Sequence, residues 1–180
     1  MKNKRTKFLF FTVAAWMMCL CTPVLSAAYA DVTEKDLRAF TRAMGFMKPT
    51  PSGDVDFAVL YNPQNTESAQ DAKTMMRLLS KGYKAGRAKL TPRLVSTANI
   101  SSLNNADFVY VTLGLSSWHG KISNGRKALV LSLDKSCVEK GDCMLYVNTQ
   151  NRVEILVNKK AASAADIEFK PVFMAMVKTL

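Results

Sequence analysis

Three stretches of the chain are apolar almost without interruption and have the length of strands: Val55–Tyr61 (VDFAVLY), Asp107–Leu113 (DFVYVTL) and Lys127–Leu133 (KALVLSL). A strand with one wet face alternates apolar and polar side chains. Runs like these belong to strands covered on both faces. Helical spacing between them supplies the cover. Ala72, Met75, Met76 and Leu79 recur at i, i+3, i+4 and i+7 within residues 65–81, with Asn65 or Thr66 to start the helix and Gly82 to stop it. An earlier helix is predicted from Thr33, as cap, to Met44, with Leu37, Phe40, Thr41 and Met44 on one face and Gly45 at its end. Lys48-Pro49-Thr50-Pro51-Ser52-Gly53 reads as a loop. Arg87–Ser96 alternates and contains a short strand; Ile100–Asn105 forms one or two helical turns, and Ser116–Ser123 a short helix or loop.

The last third changes character. Met144–Asn148 and Arg152–Asn158 are short strands joined by Thr149-Gln150-Asn151, which predicts an antiparallel hairpin. A helix follows over Lys159–Ala165 with Asn158 as cap. Pro171 opens a closing helix that turns Val172, Phe173, Met176 and Val177 inward. No internal repeat or low-complexity segment occurs. The predicted fold class is α/β: a mainly parallel sheet flanked by helices in three layers, with right-handed crossovers, a C-terminal antiparallel hairpin and one disulfide.

The first thirty residues stand apart. Lys2, Lys4, Arg5 and Lys7 precede an apolar run from Phe8 to Leu20, and Ala28-Tyr29-Ala30 follows. This is the pattern of a cleaved secretory signal, with processing before Asp31. The run is shorter than the ~20 residues a membrane span needs. Residues 31–180 are then expected to form one periplasmic domain with no membrane span.

The whole chain carries 25 Lys+Arg against 14 Asp+Glu, a net charge of +11 at pH 7. Four of those cations lie in the leader and the rest are scattered, which gives a solvated positive surface suited to an anionic or acidic partner. No nucleic-acid-binding motif accompanies it. Beyond the leader the cysteines are Cys137 and Cys143. A lone close pair in an oxidising compartment forms a disulfide, and C-x5-C is not the spacing of thiol-exchange enzymes. No histidine lies near it, so a metal is not expected.

Catalytic chemistry does not assemble. The lone histidine, His119, follows Gly114-Leu115-Ser116-Ser117-Trp118, which begins like a G-x-S-x-G elbow and lacks the second glycine. No phosphate-cradling glycine loop follows a strand, and the acidic residues form no pair suited to glycoside hydrolysis. The chain is expected not to be an enzyme and to need no cofactor or metal. A parallel sheet still leaves a crevice at the carboxyl ends of its strands. Asn62, Gln64, Asn65, Ser116 and Trp118 are the candidates to line it.

The stretch from Lys127 to Leu180 resembles the YfiR-like family of bacterial periplasmic regulators. The shared order is an apolar strand, a Cys-loop-Gly-x-Cys element, a short strand, Asn-Arg-Val, a strand ending in Asn, an Ala-rich helix and a closing helix. Cys137, Gly141, Cys143, Asn151, Arg152, Val153, Asn158 and Ala161 carry it. Upstream, the family's aromatic-rich F-x-x-W-P stretch corresponds to Phe46-Met47-Lys48-Pro49, without the tryptophan. The resemblance implies a periplasmic repressor that binds the sensory region of a membrane-bound diguanylate cyclase, limiting cyclic-di-GMP and biofilm matrix. A homodimer is compatible with it. The cysteine loop and hairpin are the expected contact surface, with Asp142, Met144, Tyr146 and Arg152 as candidate contacts. The alternative is a small-molecule receptor that uses the crevice.

Overall fold

A computed structural model describes residues 31–122 and 126–180. The expected export leader lies outside the described residues. In chain order the elements are α1 (Glu34–Met44), β1 (Met47–Lys48), β2 (Ser52–Tyr61), α2 (Thr66–Leu79), β3 (Lys84–Ala85), β4 (Arg87–Ser96), a 3-10 segment (Thr97–Asn105) and β5 (Phe108–Val111). A 3-10 turn (Ser116–Trp118), β6 (Leu129–Ser132), α3 (Lys135–Glu139), β7 (Leu145–Asn148), β8 (Glu154–Val157), α4 (Lys159–Ala164), β9 (Glu168–Phe169), α5 (Pro171–Met174) and β10 (Lys178–Thr179) complete them.

The main sheet has the order β10-β8-β7-β6-β5-β2-β4-β3. Its centre, β4-β2-β5-β6-β7, is parallel throughout. β8 pairs antiparallel with β7, making the predicted hairpin with register Leu145↔Val157 to Asn148↔Glu154. β1 and β9 form a separate antiparallel clasp. The first crossover, β2-α2-β4, runs one way along the sheet, and the next, from β4 to β5, runs back past β2. Right-handed crossovers therefore put their connections on opposite faces, and the three layers follow. α1 joins α2 on one face, where Phe40 meets Tyr110 of β5 edge-to-face at 6.0 Å.

The three apolar runs are buried as predicted: Phe57–Leu60, Phe108–Val111 and Leu129–Leu131 are shielded on both faces. Two elements depart from expectation. β4 is ten residues long and pairs with β2 from Ser52↔Arg87 to Tyr61↔Ser96. Pro92 lies beyond the short β3, where β4 is a free edge that tolerates a missing N–H. The closing helix is a single turn. The chain leaves it to add β10 to the sheet, so Val172 (58% exposed) and Met176 (63%) point outward and only Phe173 is buried.

Cys137 and Cys143 are bonded, with Cα atoms 5.2 Å apart. The intervening chain is mostly α3, capped by the Asp134 side chain, and not an open loop. Among the described residues no helix is long and apolar enough to cross a membrane.

Candidate functional site

Two of the concavities among the described residues bear on function. The first is the crevice expected at the strand ends. β2 sends its connection toward β4, while β5 neighbours β2 on the other side. The loops leaving these two strands diverge and leave an opening of about 540 Å³. Asn65 holds its two walls together. Its Oδ1 accepts the Ser68 N–H to cap α2, and its Nδ2 donates to the Gly114 carbonyl. Gly114 has φ +73°, and a Cβ there would meet the Asn65 side chain at 2.9 Å. Beneath, Ser68 and Thr112 share a 2.6 Å hydrogen bond. The Asp71 carboxylate accepts from Tyr110 Oη, Leu113 N and Val32 N. Burial pushes the Asp71 carboxyl up to about 6.

Of the five predicted crevice residues, Asn65 and Ser116 line it. Asn62 shapes it from behind: its N–H donates to Ser68 Oγ and its Oδ1 accepts the Gln64 N–H. Gln64 is exposed, and Trp118 packs under Lys121, whose Nζ lies 5.0 Å from the ring centroid; neither is among the lining residues. The unforeseen charged members are Glu67, Asp134 and Lys135. Asp134 follows β6 as Asn62 follows β2, so extending the strand-end rule to the third apolar run finds it. Burial, with Asp134 nearby, raises the Glu67 carboxyl. Nε2 of His119 lies 3.8 Å from Asp134 Oδ2, and its side chain is only 6% exposed. Its Nδ1 is buried without a hydrogen-bond partner. Among the described residues no hydroxyl is bonded to the imidazole.

The second concavity is an open groove of about 650 Å³ between α1, the β7–β8 hairpin and the closing segment. The capping box orients α1. Thr33 Oγ1 accepts from Asp36 N, and Asp36 Oδ2 accepts from Thr33 N. The other Asp36 oxygen reaches across to the hairpin turn and accepts from both N and Oγ1 of Thr149. At the far end Phe46 stacks on Phe173 at 5.3 Å, and the Lys170 N–H donates to the Phe46 carbonyl. With Leu37, Phe40 and Met44 committed to the core, α1 turns Ala39 toward the groove, where Ile155 and Val177 also lie. Lys35, Arg38, Arg42 and Arg152 stand around it, and among the described residues no acidic side chain lines it.

The four candidate partner contacts do not share a surface. Arg152 lines the groove. Met144 (2% exposed) and Tyr146 (6%) are buried, because α1 and α3 pack on β7 and cover its faces. Asp142 is also buried, and its carboxylate accepts the Gly120 N–H. Both cysteines are fully buried, so the bridge is not presented to a partner.

No family model and no curated relative matches the sequence. Solved structures do match the fold. A conserved domain protein from Vibrio cholerae O1 biovar eltor is 17% identical, over 83% of this chain and 61% of that one, with TM-score 0.57. The ABC domain in complex with L-Trp from Streptococcus pneumonia is 13% identical over 82% and 60%, with TM-score 0.60. A substrate binding protein with adhesive properties from Clostridium difficile, in its ligand-free open form, is 18% identical over 84% and 60%, also with TM-score 0.60. This chain therefore has an α/β fold of the kind seen in substrate-binding proteins, and it spans about three-fifths of the length of those it matches.

Proposed function

We propose that this protein is a non-catalytic regulatory domain of the bacterial periplasm that works by docking on another protein. The partner is the periplasmic region of a membrane-bound diguanylate cyclase, which it holds inactive. The observation that carries this reading is the open groove against α1, where apolar side chains meet solvent beside a basic rim: Val153 (67% exposed) and Met176 (63%) border it. Large apolar side chains grouped at a groove favour association with another surface. The YfiR-like resemblance lends support, since Asn151, Arg152 and Val153 lie on that groove. Other residues of the resemblance hold the hairpin's far end. Asn158 caps α4 and donates to the Val138 carbonyl, next to Gly141 at φ +86°. A repressor need only prefer the inactive cyclase; about 3 kcal/mol shifts a balanced equilibrium more than a hundredfold. Deleting the gene in its host raises cyclic-di-GMP and matrix production. Unchanged levels in a strain that expresses the partner cyclase overturn the assignment.

A second reading is favoured by the crevice at the strand ends and by neighbours that are substrate-binding proteins. It makes the chain a receptor for a small polar metabolite. A thermal-shift screen that includes amino acids separates the two: a specific ligand raises the melting temperature in proportion to its occupancy, and docking alone leaves the screen flat.

A further inference from the structure

The walls of the α1 groove differ in chemistry, and the difference identifies an occupant. The floor is apolar, and α1 presents a small side chain to it, Ala39, with the buried Ala43 one turn further on. A small residue at the exposed position lets a second helix approach closely, within the usual ~8–10 Å interaxial range. The rim is cationic on both sides: Lys35 and Arg42 on α1, Arg152 on the hairpin. Among the described residues none of these three has a carboxylate within salt-bridge distance, whereas Arg38 is already paired with Glu34 at 2.7 Å. Lys35 and Arg42 are seven residues apart on one helix, so their charges repeat after two turns, ~10 Å along the axis.

We infer that the groove accepts an acidic amphipathic helix from the partner protein. Its apolar face seats on Ala39, Phe46, Ile155 and Met176, and its carboxylates meet Lys35, Arg42 and Arg152. This rests on the docking reading above and adds the partner's chemistry to it. The salt-bridge partners missing from this chain are supplied by the other molecule, and pairing at the rim of an apolar contact sets register and encounter rate.

The test uses the protein purified from its host after its own processing. The probes are two blocked, fluorescently labelled peptides of about 18 residues, long enough to hold helix. They share one Leu/Ala face; one carries Glu on its flanks and the other Lys. Fluorescence anisotropy should show the Glu peptide binding at least tenfold more tightly, with the difference shrinking as salt rises. Arg42→Glu and Arg152→Glu should each weaken the Glu peptide about tenfold at unchanged melting temperature, while Lys140→Glu, on the exposed surface away from the groove, leaves it unaltered. Equal binding of both peptides, or no saturable binding, overturns the proposal. So does a dimer in sedimentation that Arg42→Glu dissociates, because the groove is then filled by a second copy. Raised cyclic-di-GMP on gene deletion, together with full repression by Arg42→Glu and Arg152→Glu, removes the helix site and leaves the regulatory reading standing.

Discussion

Asp36 Oδ1 accepts hydrogen bonds from both the backbone N–H (3.1 Å) and the hydroxyl (2.8 Å) of Thr149, 113 residues further along the chain. One carboxylate thus caps α1 with one oxygen and anchors the hairpin turn with the other. Asp36→Ala removes both functions and leaves the turn's donors without an acceptor, with a loss of about 3 kcal/mol. Thr149→Val removes only the hydroxyl contact and costs about 1 kcal/mol. Urea denaturation measures both, and the double variant should be less destabilised than the sum because the two residues share an interaction.

Asp71 makes stability depend on pH in the direction opposite to ordinary acid denaturation. Its carboxyl is raised from 3.8 to about 6, chiefly by burial, against three hydrogen bonds that favour the charged form. Between those values the native state keeps a proton that the unfolded chain has released. This contribution is therefore complete below about 4 and lost as pH rises through about 6. The shift corresponds to about 3 kcal/mol. The exposed Glu34, lowered by its Arg38 and Lys81 partners to about 2, acts in the opposite sense and only at lower pH. Asp71→Asn should flatten the pH dependence of the denaturation midpoint between pH 4 and 6.5. An unchanged slope assigns that titration to another group.

The Cys137–Cys143 bridge closes a short loop around α3, for which chain entropy gives about 2 kcal/mol. Cys137→Ser or Cys143→Ser should lose at least that, because each also places a hydroxyl in a fully buried position. Both sulfurs are shielded, so the native protein should resist mild reductant and take up no thiol reagent until it unfolds. Mass spectrometry after alkylation with and without denaturant reads this out.

Gly114 should not tolerate a side chain. Its positive φ disfavours any L residue, and a Cβ would press on Asn65. Gly114→Ala should cost about 2 kcal/mol. Asn65→Ala, which removes only the α2 cap and the bond to the Gly114 carbonyl, should cost about 1 kcal/mol. A larger loss for Asn65→Ala than for Gly114→Ala would mean that the strand-end loops are held by the asparagine alone.

The buried centre of the sheet was legible because both-faced burial leaves a direct mark: Phe108–Val111 and Leu129–Ser132 have almost no polar position to hide. Helix starts were legible for a similar local reason, since Thr33, Asn65 and Asn158 each accept a backbone N–H from the first turn. Elements whose partners lie far along the chain were harder to read. β4 alternates as an edge strand does and carries Pro92, so its full length shows only in its pairing with β2. Met144 and Tyr146 look like one face of an exposed hairpin until α1 and α3, distant in sequence or folded back, are seen to pack on β7. Val172 and Met176 follow a helical spacing that belongs to an open surface. The rim of Lys35, Arg42 and Arg152 joins positions more than a hundred residues apart, and no local pattern marks it.

The β1–β9 clasp ties the segment after α1 to the segment before α5. Met47 pairs with Phe169, and Phe46 finds its stacking partner only at Phe173. A chain without its last dozen residues keeps the α1 and hairpin walls of the groove and loses the end formed by Phe173, Met176 and Val177. The groove is thus closed at one end by residues more than a hundred positions away from the helix that forms its wall, and clipping the C-terminus opens that end.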